Sequence, residues 1–528
     1  MGIPSHILFR SVDVQWAAAI RRVREKNRSI EEISVDMDTS RLRANKSLTS
    51  SARPSKRVRL EIPAVSTSVD VEARPEAEAL ILHFHRTPIP FSHIKDFTEM
   101  VENLERIEMP GQIAAVLQNP LLQHVVSCQH SRTTAARFSM WLQHALLEEF
   151  INSPDVTAVK QKEQLLHLVI KYSNFLQEGI PACERFLEKY LISWNGQDYK
   201  RHIFELIARY RMCPFSRLEE TVLEPLRCLF FSSSVYFKCQ VLVSLTSLLR
   251  NYCLVEWRRY LPQSEDENSL QEDGTSKRKY MSLFDEGVEE FLPRDTIQRL
   301  IEYVDRICCI ALLVEADNIL LMNYILCFYE QVCQLPKYSI PVICLPSRSV
   351  VYRMLLGVSA MPTSRICGLL CSYKTAFDQL KSSLQHLNVT AEETGLSQID
   401  DLNLYITDFA TSLWQYKAFQ SSRPSAAFTF DPEVIQALDV PHPSACLSIH
   451  SHQSLLGFVA QFLQETQPEG SVVHPNSIKA SQNTKQMYLK FLQRVHLHGI
   501  VQFVATFIRR KTRKDASREV STMIMEEV

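Results

Sequence analysis

Only 12 of the 528 residues are glycine, about a third of the usual share. Tight hairpins, phosphate-cradling loops and close backbone approaches draw on glycine, which enters left-handed backbone without steric cost. A chain this poor in glycine is pushed towards helices joined by short loops. Hydrophobic residues make up 45% and charged residues 22%, enough to build a sizeable core. The length exceeds what one compact core usually organises, so several domains or an elongated repeat stack are expected.

Helical periodicity fills most of the chain. Ser11 to Asn27 reads as an amphipathic helix with Val12, Trp16, Ala19, Ile20 and Val23 on one side; it is expected to pack back on the helices that follow. Apolar residues then become sparse, and residues 28–80 read as a disordered basic linker. Phe97, Val101, Leu104 and Ile107 predict a helix stopped by Met109-Pro110-Gly111. Leu165, Leu168, Val169, Tyr172 and Leu176 form the next stripe, ended by Gly179-Ile180-Pro181. Cys183, Phe186, Leu187, Tyr190 and Leu191 form another, ended at Trp194-Asn195-Gly196, and Phe237 to Tyr252 a fourth. Helix, short stop and helix again, with wide apolar stripes, is the pattern of stacked helix pairs.

Residues 263–293 interrupt the pattern as an exposed polar loop. It resumes with Ile301, Val304, Cys308, Ala311 and Leu312, then Ile319, Met322, Ile325, Leu326 and Tyr329. Prolines 336, 341, 346 and 362 divide shorter elements. Later helices are expected over Leu402 to Tyr416, Gln453 to Glu465 and Gln486 to Arg510, with Phe428 to Pro432 extended. The predicted fold class is therefore all-α, a degenerate HEAT-like helical-repeat scaffold behind a disordered N-terminal linker. Its segments are 1–27, 28–80, 81–262, 263–293, 294–385 and a C-terminal helical region, 386–528, ending in a basic tail.

The formal net charge is −1, so any basic surface is local. The 14 cysteines lack the spacing of a disulfide framework, and Met1 to Arg10 has no secretory pattern; reduced thiols in cytosol or nucleus are the simplest reading. Ile307 to Tyr329 is the most apolar stretch, but Glu315, Asp317 and Asn318 interrupt it. Two buried helices joined by an acidic turn explain it better than a membrane span.

Motifs for chemistry are absent. There is no P-loop, dinucleotide fingerprint or Gly-x-Ser-x-Gly elbow, no paired Cys-x-x-Cys units and no His-Glu-x-x-His. Cys367 and Cys371 would share a helix face and read as buried thiols, as does Cys183; His83 and His85 could share a strand face. His496 and His498 read as surface or cap residues, and Glu148-Glu149 and Glu289-Glu290 would diverge on a helix. The expectation is a protein without enzymatic activity, cofactor, metal or small-molecule substrate.

Two basic clusters stand out. Arg53, Lys56, Arg57 and Arg59 form a compact run in the predicted linker, where an extended basic peptide can enter an import receptor; a solvated charge run is the plainer alternative. Arg509, Arg510, Lys511, Arg513 and Lys514 close the last predicted helix. Cations suit a helix C-terminus electrostatically, and the sharper reading is contact with DNA phosphates.

The segment Phe175-Leu-Gln-Glu-Gly-Ile-Pro-Ala-Cys-Glu-Arg-Phe-Leu187 resembles the vertebrate centromere protein I family. The resemblance continues at Trp194 to Gly196, Leu229 to Leu242, Tyr324 to Cys333 and Phe430 to Val434, with Glu108 to Gln112 and Arg53 to Arg57 upstream. It covers the family's central and C-terminal part; the family's N-terminal repeat segment would lie before the point matching Met1. It implies a HEAT-like scaffold of the inner kinetochore, nuclear and centromeric, that binds centromere proteins H, K and M and supports kinetochore assembly. Other inner-kinetochore subunits, and centromeric DNA at a local basic edge, would be further partners. The alternative is an adaptor or transport-receptor-like solenoid unrelated to centromeres.

Overall fold

The computed structural model describes residues 115–128, 132–152, 159–260, 291–384, 398–419, 443–466 and 482–508, with Ile89–Pro90, Ile107–Glu108 and a few single positions such as Phe284. They are helical almost throughout. The exception is a parallel pair of two-residue strands, β1 (Ile89–Pro90) and β2 (Ile107–Glu108). Ile107 therefore belongs to a strand and not to the end of the expected Phe97–Ile107 helix. In that stretch Thr98 and Glu99 are helical, so the apolar spacing of four residues did not carry the helix to Ile107. The expected helix at Ser11 to Asn27, the polar segment 263–278 and the extended Phe428–Pro432 lie outside the described residues.

The chain divides into two compact units, the first ending at Arg211 and including 268–288, the second holding the remainder. In the first, the helices are α1 (Ala115–Gln118), α2 (Pro120–Cys128), α3 (Arg132–Leu147), α4 (Val159–Leu176), α5 (Pro181–Ser193) and α6 (Lys200–Ile207). Asn119 caps α2 by accepting from the Leu121 and Leu122 nitrogens, which replaces bonds the first turn lacks. Pro181 starts α5, and Ile180 before it is extended, at φ −103 and ψ 121, because a proline ring excludes helical backbone in its predecessor. α3 packs on α5 and α4 on α6. Their core is aromatic: Phe138 meets Tyr172 edge-on at 5.1 Å, and Phe150 touches Phe186, Tyr190 and Tyr199. Glu184 closes the unit by holding the Arg211 guanidinium at 2.8 and 3.0 Å and accepting its backbone nitrogen.

In the second unit the helices are α7 (Phe215–Leu218), α8 (Glu224–Ser232), α9 (Val235–Asn251), α10 (Pro293–Val314), α11 (Ile319–Val332), α12 (Arg348–Leu355), α13 (Ala360–Leu384), α14 (Ile399–Leu413), α15 (Leu456–Thr466), α16 (Gln482–Arg494) and α17 (His498–Phe503), the last extended by a wider turn to Ile508. The helices expected around the fourth, fifth and sixth apolar stripes are thus α9, α10 and α11. Packing alternates: α9 lies on α11 and α11 on α13, while α7 lies on α10 and α10 on α12. Pro336 sits in a single 3₁₀ turn and Pro362 in the first turn of α13, where its missing N–H has no helical partner to lose.

Between α11 and α12 the chain runs irregularly through Pro341 and Pro346. Buried carbonyls on such a segment need donors, and tyrosines supply them. Tyr373 donates to Cys344 O at 2.8 Å and Tyr405 to Pro346 O at 3.1 Å. Asp305 accepts from the Ser347 nitrogen at 3.0 Å and from the Tyr329 hydroxyl.

The single helix expected over Gln486 to Arg510 is two. It breaks at Val495 to Leu497, with His496 left-handed at φ 65 and the Leu497 nitrogen donating to Leu492 O. Such turns are a direct consequence of the missing glycine. Among the described residues eight non-glycine positions have positive φ, from Gln177 to His496, against one glycine, Gly196. Each costs about 1–2 kcal/mol relative to right-handed backbone, so surrounding bonds must hold it.

Candidate protein-interaction surface

The turn between α10 and α11 carries two of those residues in succession, Ala316 at φ 47 and Asp317 at φ 57. The Glu315 nitrogen donates to Ala311 O and the Asp317 nitrogen to Leu312 O, each at 2.9 Å, which closes α10. Asn318 then caps α11, accepting from the Leu320 and Leu321 nitrogens at 3.0 and 3.4 Å. Two cations brace the turn from different helices. Lys238 of α9, almost fully buried, pairs with Glu315 and donates to Ser233 O at 2.8 Å. Arg353 of α12 reaches both Asp317 oxygens at 2.8 and 2.9 Å.

This braced turn presents apolar side chains to solvent. Ile310, Leu313 and Val314 follow helical spacing on the outer face of α10, and Ile319 and Leu320 open α11; Leu313 is 66% and Val314 57% exposed. Five large aliphatics exposed within eleven residues are a concentration, since single exposed apolar residues are ordinary and clusters mark contact sites. The end of α12 adds Leu356 and Val358, the latter 78% exposed. It rests on the first turn of α11, where Met322 Cε lies 4.0 Å from a Cβ built on Gly357. Gln453 donates to Leu356 O at 2.5 Å, placing exposed Leu456 beside the same end. The patch is rigid, aliphatic and bounded by paired charges, a surface that suits the apolar face of a partner.

Other residues singled out from the sequence fare differently. Arg53, Lys56, Arg57 and Arg59 lie outside the described residues, as do Arg509, Arg510, Lys511, Arg513 and Lys514 and the pair His83 and His85. The last described residue, Ile508, precedes the second basic run directly, and Phe507 just before it lies under the Lys374 ammonium at 5.5 Å. His496 and His498 are exposed, their rings 5.7 Å apart. Cys183, Cys367 and Cys371 are buried. Burial pushes the thiols up, to about 12 at Cys253 and about 11 at Cys239 and Cys371, so these sulfurs stay protonated and weakly nucleophilic near neutrality. Among the described residues no three metal-ligating side chains converge, and no helix is long and apolar enough to cross a membrane.

Sequence reading missed the exposed patch. Its signal was present: Ile310, Leu313 and Val314 fall off the stripe formed by Ile301, Val304, Cys308, Ala311 and Leu312, and so occupy the face that solvent should see.

Comparison with known proteins finds a family model described as "CENP-I: Mis6" matching residues 2–264. Centromere protein I of Gallus gallus is 28% identical over 522 residues, covering 97% of this chain and 66% of that protein. Centromere protein I of Mus musculus is 30% identical over 432 residues, 81% of this chain and 55% of the relative. The protein of the same name from Rattus norvegicus is 28% identical over 453 residues, 85% and 57% respectively. The chain thus spans between 55% and 66% of the length of these relatives.

Proposed function

The chain belongs to the centromere protein I family, and from that premise we propose that it is a non-catalytic scaffold subunit of the inner kinetochore, nuclear and centromeric. Its partners in this reading are centromere proteins H, K and M and other inner-kinetochore subunits, and its role is to support kinetochore assembly and chromosome segregation. The observation that carries the scaffold reading is the aliphatic patch at the α10–α11 turn. A rigid apolar surface loses little conformational freedom on binding and offers several anchors to one partner helix. A HEAT-like repeat for the second unit is supported by its alternating packing, in which α9 lies on α11, α11 on α13 and α10 on α12. The basic run Arg509 to Lys514 is assigned here to DNA phosphates, and Arg53 to Arg59 to nuclear import.

Co-expression with centromere proteins H, K and M, followed by size-exclusion chromatography, tests the reading. One stoichiometric species is expected. A folded, monodisperse chain that elutes alone, also when extended to the full length of its relatives, would sink it.

A further inference from the structure

Lys485, in the first turn of α16, extends its ammonium to 5.6 Å from the Trp414 ring centre and 5.3 Å from that of Tyr416. Both fall inside the range, about 6 Å, in which a ring face attracts a cation. Trp414 is the residue after α14, and Tyr416 stands two further on in left-handed backbone at φ 59. A bulky residue there is strained. The turn is held by Gln415 and Lys417 nitrogens donating to Ala410 O and Thr411 O, and by the Ala418 nitrogen donating to Ser444 O, each at 3.1 Å. His450 supports the Tyr416 ring edge-on at 5.0 Å. The held strain gives two neighbouring aromatic rings one shared cation.

We propose that Trp414 and Tyr416 form a recognition site for an alkylated ammonium group, filled in the free chain by Lys485. A primary ammonium gives up strong hydration when it approaches a ring, whereas an alkylated one is weakly hydrated and has its charge spread over methyl groups. The site therefore favours an alkylated ligand over its own lysine, contact for contact. Tethering offsets this, because a side chain on the same fold acts at an effective concentration in the millimolar range. The half-buried Lys485 side chain can turn out to solvent, so that one positive charge replaces another and the local balance is unchanged. This assignment does not depend on the kinetochore reading.

The test titrates tetramethylammonium chloride into the whole chain at constant ionic strength, followed by calorimetry, with thermal melting as the check on folding. Lys485→Met is expected to bind about tenfold more tightly than the unmodified chain by removing the tethered competitor. Adding Trp414→Leu, or Tyr416→Leu if the first does not fold, is expected to abolish that binding. Equal binding with and without Lys485, or binding that survives loss of both rings in turn, overturns the proposal. Trimethyl-lysine and phosphocholine titrated into Lys485→Met then separate a protein side chain from a lipid headgroup as the source.

Discussion

Gly368 of α13 and Gly499 of α17 face one another so closely that a Cβ built on Gly499 would stand 3.0 Å from the Gly368 nitrogen and 1.8 Å from Ser364 O. In a chain with so few glycines, two are spent on one helix crossing. Neither has positive φ among the described glycines; what they supply is the absence of a side chain. Gly499→Ala must push α17 off α13 and is expected to destabilise the second unit by about 3 kcal/mol. Gly457 of α15 has nothing within 4 Å of its built Cβ, so Gly457→Ala should be neutral or stabilise by up to about 1 kcal/mol. Urea unfolding of the two variants separates the effects, and equal behaviour would contradict the crossing.

The Glu184–Arg211 pair predicts a similar loss in the first unit. Glu184 is 7% exposed in its side chain, and Arg211 also donates to Phe284 O at 3.2 Å. Glu184→Ala leaves a guanidinium largely removed from water without its carboxylate. A cost of about 3–5 kcal/mol is expected, read as a lower urea midpoint.

Acid sensitivity should trace to His452. Its Nδ1 accepts from the Ser454 nitrogen at 3.2 Å, so Nε2 carries the proton and donates to Leu355 O at 2.8 Å. The neutral ring is satisfied and fully buried, and burial holds its pKa below the usual 6.5. The unfolded chain takes up a proton first as pH falls. Stability from this group is therefore present above about pH 6.5 and lost as pH falls through the depressed folded value. His202 is depressed in the same direction, also by burial, and adds to the slope. Unfolding free energy followed from about pH 7 to 5 should decline, and His452→Gln should flatten the decline while His202 leaves a remainder.

The helices were legible where their signal is local. The stripes at Leu165 to Leu176, Cys183 to Leu191 and Phe237 to Tyr252 each recur every three or four residues, and each became one helix. Four features were missed, each for its own physical reason. The break at His496 uses a left-handed histidine, with no proline or glycine in the turn itself; Gly499 three residues on serves the crossing with Gly368, a partner 131 positions away in sequence. Ile107 pairs with Ile89, and strand pairing depends on a second segment that no single window contains. The exposed patch lies in Ile310-Ala-Leu-Leu-Val314, where every residue is apolar, so that only the phase of the stripe running in from Ile301 and Val304 separates core from surface. The buried tyrosines that serve Cys344 and Pro346 needed the fold to reveal their acceptors.

Exposed position predicts how the patch should respond. Leu313 and Val314 already meet solvent, so Leu313→Ser and Val314→Ser should shift stability by no more than about 0.5 kcal/mol. If they anchor a partner, each should weaken binding by up to about 2 kcal/mol, roughly 30-fold. Titration of centromere proteins H and K together, and M separately, identifies which partner loses affinity. Unchanged affinity for all of them, with the fold intact, would move the interface elsewhere.

The basic run after Ile508 has two physical uses, and salt tells them apart. Cations past a helix C-terminus stabilise it through the dipole by about 0.3–1 kcal/mol, an effect on folding alone. Cations on DNA phosphates displace counterions, so each contact adds about 0.9 to the slope of log affinity against log salt. Arg510→Gln should then lower that slope by about 0.9, and replacing Arg509, Arg510, Lys511, Arg513 and Lys514 together by about 4.5 (five contacts of 0.9 each), with little change in which sequence is preferred. Binding to a fixed duplex across a series of salt concentrations measures it. A five-fold variant that melts earlier yet keeps the original slope would assign the run to the helix end and remove DNA from the list of partners it serves.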